Sequence, residues 1–222
     1  ISSIFFTFFS FEIYLMVSPK IELKKKVTIF ANKYGKDFDL RSKVEVLKDV
    51  KTKNPNKKVN IVISPLYIGL IDKNINLIPL SGISNSISII CNEIGYYSIY
   101  NSDRYGFNNN NKIWDEKIDY VLIGDSFIHG ACNKPEDQLG NLMINKTNKN
   151  MLNLGYMANG PLLSLASLIE YKPKKVKKII YFWFEGNDLK DLNNELKIPL
   201  LKKYLENKKF KQNLKLKQDE IN

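Results

Sequence analysis

The feature that most constrains this chain is an alternation of short apolar runs with helical patterns, beginning at Ile118. Asp119 to Ile123 (DYVLI), Met151 to Leu154 and Lys178 to Phe184 (KIIYFWF) are mostly apolar runs of strand length, the texture of strands buried on both faces. Gly124-Asp125-Ser126 turns the chain after the first, Gly155 ends the second, and Gly186-Asn187-Asp188 breaks the third. Pro161 to Tyr171 reads as a helix: Pro161 opens it, and Leu162, Leu165, Ala166, Leu168 and Ile169 form an apolar face. Strand, helix, strand, helix, strand predicts an α/β fold with a parallel sheet, right-handed crossovers and helices on both sides. In such sheets active groups gather where strands end at their carboxyl edges, and all three turns lie there.

Upstream the pattern is less regular. Ile1 to Val17 is apolar, with Glu12 its only charge and Lys20 closing it. Aromatics and isoleucines on every face predict the trailing part of a membrane helix or signal anchor over residues 1–19. A buried or interfacial helix with Glu12 at a polar edge is the alternative. The absence of a small-x-small site before Lys20 argues against a cleaved signal peptide. Residues 20–117 form an accessory region. Within it a weak helical pattern runs through Phe38, Leu40, Val44, Val46 and Leu47, and Asn54-Pro55-Asn56 ends it. Val59 to Ile63, stopped by Pro65, and Asn76 to Leu80, stopped by Ser81-Gly82, read as β-like runs. Ser86 to Cys91 and Tyr96 to Tyr100 flank a four-residue turn and read as a hairpin. Residues 118–222 form the region of alternating strands and helices.

Composition narrows the function classes. An apolar fraction of 44% excludes wholesale disorder. The formal charge of +11 invites nucleic-acid binding, yet Arg41 and Arg104 are the only arginines, and bidentate contacts to bases and phosphates favour arginine. Lysine is spread along the chain beside abundant Asn and Ile, so no nucleic-acid partner is expected. Cys91 and Cys132 make no metal motif and read as two unpaired small core residues, a disulfide being the alternative in an oxidising compartment. A single histidine argues against a His-based zinc site. No metal and no cofactor are expected.

The turn Gly124-Asp125-Ser126 can lift a serine hydroxyl out of the sheet edge, and the helix after it points N–H groups at an oxyanion. Gly155 leaves room for a backbone N–H to approach a substrate oxygen, and Asn187 can offer its side-chain amide. Each has a plainer use: Asp125 or Ser126 capping the following helix, Asn187-Asp188 capping the next, Gly155 as a turn glycine. Asp125 and Asp188 read as supports that bond nearby backbone N–H groups. Asn159 and His129 are possible pocket residues.

GDSF after one strand, a glycine after the next and GND after the third resemble blocks I, II and III of the GDSL/SGNH hydrolase superfamily. The resemblance covers Ile118 to about Leu192, roughly the first half of that flavodoxin-like α/β/α domain. It implies Ser126 as nucleophile and oxyanion donor, with Gly155 and Asn187 as the other donors. Ser102 to Asn108 (SDRYGFN) also resembles the lead-in of membrane-anchored bacterial members associated with surface polysaccharide genes. The family draws its base from a late D-x-x-H block, which this sequence lacks; its only histidine is His129, three residues after Ser126. A serine without a base is a poor nucleophile, so the reading expects a C-terminally incomplete domain, inactive by itself. The implied activity is a serine esterase acting on an ester, such as an O-acyl group of a glycan or lipid, in a membrane-anchored and periplasmic protein. An O-acyltransferase using the same serine and a non-catalytic glycan- or protein-binding domain are the alternatives. A nucleotide-binding reading lacks a Gly-rich phosphate loop after the first strand.

Overall fold

The computed structural model describes residues 2–17, 23–35 and 37–222, and the chain divides into two compact units, Ile1–Leu40 and Arg41–Asn222. In the first unit, α1 (Ser2–Val17) and α2 (Leu23–Tyr34) follow one another. Sixteen residues of α-helix reach about 24 Å at 1.5 Å per residue, short of the ~30 Å hydrocarbon core. Among the described residues no helix is long and apolar enough to cross a membrane. Pro19 and Lys20, where the expected anchor ends, lie outside the described residues. Phe6, Phe9, Phe11 and Tyr14 of α1 are all exposed. Gly35, at φ +61°, closes α2 by donating its N–H to Ala31 O, a left-handed end that favours glycine.

The second unit opens with α3 (Lys43–Lys53). The helix expected through Phe38 and Leu40 starts later, because Ser42 caps it: Glu45 N–H donates to Ser42 Oγ, and Ser42 N–H to Glu45 Oε2. Strand β1 (Val59–Ile61) follows, and Pro65 ends the strand run by starting α4 (Pro65–Ile71), with Leu66 N–H donating to Ser64 Oγ. Strands β2 (Ile87–Ile89) and β3 (Ile99–Asn101) form the expected hairpin. Its pairing continues to Cys91 and Ser98, so the connection is longer than the four-residue turn read from the sequence. With β1 parallel to β2, the order is β1-β2-β3.

Asn76 to Leu80 is not a strand. The Ile78 N–H and carbonyl, which a sheet would have paired, bond instead to Oε1 and Nε2 of Gln212 at 2.8 and 3.2 Å. A side chain 134 residues away thus replaces a neighbouring strand, and no local pattern reveals that.

The alternation after Ile118 resolves as β4 (Tyr120–Ile123), α5 (Ser126–His129), α6 (Leu139–Thr147), β5 (Met151–Asn153), α7 (Pro161–Tyr171), β6 (Lys178–Tyr181), α8 (Asp188–Glu195), α9 (Pro199–Glu206) and α10 (Gln218–Ile221). The second sheet is all parallel in the order β5-β4-β6. Alternate residues of β4 serve opposite faces. Val121 and Ile123 join Leu162, Leu163 and Ala166 of α7, whereas Leu122 joins Ile128 of α5 and Met143 and Ile144 of α6. Helices therefore cover both faces of β4. By contrast β6, expected to be buried on both faces, is an exposed edge strand: Ile179 and Tyr181, with Trp183 and Phe184 after them, are all exposed.

Part of the stretch before Ile118 shares that core, since Leu66, Ile78, Leu80 and Phe107 pack in the same cluster as Val121 and Leu163, while Val46, Val59, Ile87 and Ile89 form a cluster of their own. The change of texture at Ile118 marks no break in packing. The expectation of two unpaired cysteines is overturned: Cys91 and Cys132 form a disulfide, with Cα atoms 5.2 Å apart across 41 residues. The hairpin end carrying Cys91 meets the turn after α5, where Ser98 Oγ also donates to Asn133 O at 3.1 Å. Spacing along the chain carried no sign of that meeting.

Candidate active site

Hydrogen bonds beyond the strand ends align the three turns at one edge. Phe182 N–H donates to Ile123 O, Leu154 N–H to Leu122 O, and Tyr156 N–H to Gly124 O. The central strand β4 thus ends between its two neighbours, and its turn carries Ser126. Gly124 sits at φ +150°, where a Cβ would also meet the Phe182 carbonyl oxygen at 2.9 Å. Only glycine fits this turn without strain.

Asp125 caps α5: its Oδ1 accepts from Phe127 N–H at 2.9 Å and its carbonyl from His129 N–H. Ser126 therefore starts the helix rather than capping it, and it is half-buried. Neither its N–H nor its hydroxyl makes a hydrogen bond among the described residues, which leaves both directed groups available. Phe127 and Phe184 stack 5.0 Å apart, placing the first turn of α5 beside the loop that follows β6.

That loop turns by donating Asp188 N–H to Phe184 O, and Asp188 Oδ2 accepts from Phe184 N–H at 2.9 Å and from Tyr181 Oη at 3.3 Å. Asn187 occupies the cap position of α8 without a side-chain cap bond, and its Oδ1 is buried without a partner. Its Nδ2 makes no hydrogen bond among the described residues. Helix capping, the plainer use for Asn187, is thus not what its side chain does. Burial raises the Asp125 carboxyl above its ordinary range, and the Asp188 charge raises it further.

Two predicted residues sit differently from expectation. Gly155 is close to α5, where a Cβ would collide with Ile128 Cγ2, and its N–H donates to Asn153 Oδ1 at 2.9 Å. Of the three expected oxyanion donors, it is the one already engaged. His129 does not line a pocket: it is fully buried, 5.3 Å from the Tyr100 ring and 4.6 Å from the Tyr156 ring, with neither ring nitrogen hydrogen-bonded. Burial lowers its pKa to about 3, which keeps it neutral at ordinary pH. Its ring packs between the two tyrosines, and it makes no hydrogen bond to the Ser126 hydroxyl three residues earlier. Asn159 is buried at the same edge, with both side-chain polar atoms unpartnered.

Sequence reasoning missed the residues that hold these turns. Asn153 Nδ2 donates to Ile128 O while its Oδ1 holds Gly155, so one amide clamps α5 to the end of β5. Asn108 Nδ2 donates to His129 O, and Asn109 pairs with the Asn153 backbone in both directions at 2.9 Å. The loop bearing both is organised by Asp103. This buried carboxylate accepts from Tyr105 and Phe107 N–H, Asn109 Nδ2 and Trp114 Nε1. The stretch from Ser102 to Asn108 is therefore a buttress for the serine turn. Glu195 was also missed. From α8 it caps α7, accepting from the N–H groups of Gly160, Leu162 and Leu163, and burial carries its pKa up to about 7. The signal for it was indirect: a helix opening Gly160-Pro161 has no capping side chain of its own.

No protein-family model, curated protein or solved structure matches this chain.

Proposed function

We propose that this chain carries the nucleophile half of a serine acyl hydrolase of the GDSL/SGNH type. The observation that carries the reading is the position of Ser126, on the first turn of α5 at the carboxyl end of the central strand, with its N–H and hydroxyl unengaged. Successive connections run from β4 to one side and then across to the other, the switch point at which open α/β sheets bind ligands. The order β5-β4-β6 also begins a flavodoxin-like three-layer α/β/α arrangement. Asn187 Nδ2 joins the Ser126 N–H as a second free donor, and Gly155 becomes a third if it releases Asn153.

In this reading Ser126 Oγ attacks an ester carbonyl as its proton passes to a general base. The oxyanion is held by the donors above, the ester C–O bond breaks, and water releases the acyl group. The burial of His129, with neither ring nitrogen hydrogen-bonded, argues against it as the base. The reading therefore requires a base other than His129. The substrate is an O-acylated glycan or lipid; an acyltransferase would use the same steps with a sugar hydroxyl in place of water. The Cys91–Cys132 disulfide supports an oxidising compartment, such as the periplasm, and the apolar α1 supports membrane attachment there. A second reading, a non-catalytic binding domain, is favoured by one observation: the single histidine, His129, is fully buried with neither ring nitrogen hydrogen-bonded.

Hydrolysis of a chromogenic acetyl ester by the product of the complete reading frame separates the two. The hydrolase predicts that Ser126→Ala abolishes turnover and that Asn187→Ala lowers kcat by roughly 10²-fold or more, the usual cost of one oxyanion donor, with little change in KM. Turnover indifferent to Ser126→Ala sinks the proposal.

A further inference from the structure

A concave feature lies apart from the serine turn and shares no residue with it. The first turn of α9, the turn after α4 and the segment ahead of α10 enclose a cleft of about 470 Å³, within the usual range for small-ligand sites. Lys73, Lys203, Lys211 and Lys217 line it, and no carboxylate does. None of the four ammonium groups has an ion pair among the described residues. Lys203 instead lies over the Phe210 ring at 5.7 Å, and Phe210 forms an apolar part of the wall.

The walls are fixed from within. Gln212, itself a lining residue, is buried and holds three elements together. Its side chain bonds to Ile78 and to Tyr204 Oη at 2.8 Å, and its N–H donates to Glu170 Oε1. The lysines on either side of Gln212 are thereby held near those of α9 and the α4 turn. Four like charges converging on one concavity repel one another, and a cleft lined by one sign of charge focuses its field on a counter-ion. Burial lowers the pKa of neighbouring Lys215, and the Lys211 charge adds to that shift.

We infer that this cleft binds a small polyanion, a phosphate ester or a polycarboxylate carrying two or more negative charges, with its apolar portion against Phe210. The inference is independent of the acyl-serine reading. It is also local: the net charge of +11 would attract anions anywhere on the surface, whereas a cleft would hold one in a saturable way.

The test is calorimetric titration of the whole chain with inorganic tripolyphosphate, comparing two double variants that lose the same charge. Lys203→Gln with Lys211→Gln alters the cleft; Lys174→Gln with Lys175→Gln alters the loop before β6. All four side chains are exposed, so both variants are expected to melt as the parent does. The cleft predicts one saturable site that the first pair weakens by about tenfold or more, ~1.4 kcal/mol, and the second by less than about twofold. Equal losses in the two pairs, or no saturable site, overturn the inference. Sedimentation with phosphatidylglycerol vesicles identifies the source. Vesicle binding lost only in the cleft pair places the anion on a lipid headgroup, and saturable tripolyphosphate binding without vesicle binding makes it a soluble ester.

Discussion

Burial strips His129 of the proton it would carry in water at mildly acidic pH, because the ring lies between Tyr100 and Tyr156 with no acceptor or donor in reach. Its folded pKa of about 3 lies below the ordinary 6.5, so the unfolded chain takes up the proton first. The contribution of this residue to stability is therefore complete above about pH 6.5 and is lost as pH falls toward 3. The loss can reach about 5 kcal/mol at 1.36 kcal/mol per pKa unit. His129→Phe keeps the ring and removes the titration. Denaturant unfolding at several pH values should show it close to the parent at pH 7 and distinctly more stable near pH 4; a parallel decline in both would mean that the ring is hydrated. The residues of the serine turn were legible in sequence because glycine, aspartate and serine each leave a local mark. The direction of His129 was not, since it depends on which side of a four-residue helix meets the tyrosines.

At the level of elements, the three strands of the parallel sheet and α7 could be read from periodicity, as could the hairpin. The failures share a cause: long-range polar partners. Gln212 occupies the backbone groups that would have made Asn76 to Leu80 a strand, and Glu195 caps α7 from another helix. Glu195 titrates with the opposite sign to His129. Its pKa rises from 4.5 to about 7 on folding, so its contribution is complete below about pH 4.5 and is lost as pH rises to 7, by at most about 3 kcal/mol. Glu195→Gln should lower stability at pH 4.5, where an N–H of α7 loses its acceptor, and should flatten the decline between pH 4.5 and 7. An unchanged slope would place that titration elsewhere. The disulfide closes a loop of 41 residues, for which chain entropy gives roughly 3–4 kcal/mol. Cys91→Ser with Cys132→Ser should therefore lower the unfolding free energy by about that amount under oxidising conditions and leave no response to reductant. A reductant-insensitive parent would contradict the bond.

On the scale of the whole molecule, residues 41–222 form one unit in which part of the accessory stretch and the parallel sheet share a core. The stretch from Ser102 to Asn109 joins them, and its Asp103 and Asn109 set the height at which β5 ends beside the serine turn. The N-terminal region thereby supports the parallel sheet: without it, the Asn153 clamp on α5 loses its support. The α/β class was legible because alternation of strand and helix is a local property repeated along the chain. The sharing of a core was not, because apolar residues such as Ile78 and Phe107 look the same whichever sheet they serve. What joins residue, element and molecule is the claim that Ser126 is presented as a nucleophile, and covalent capture tests it most directly. The product of the complete reading frame would be treated with a fluorophosphonate probe and its peptides mapped by mass spectrometry. An acyl-serine site predicts a single adduct on Ser126, lost in Ser126→Ala, and at least about 10²-fold slower in residues 1–222 alone, the usual cost of a missing general base. A folded full-length product that leaves Ser126 unmodified would contradict it.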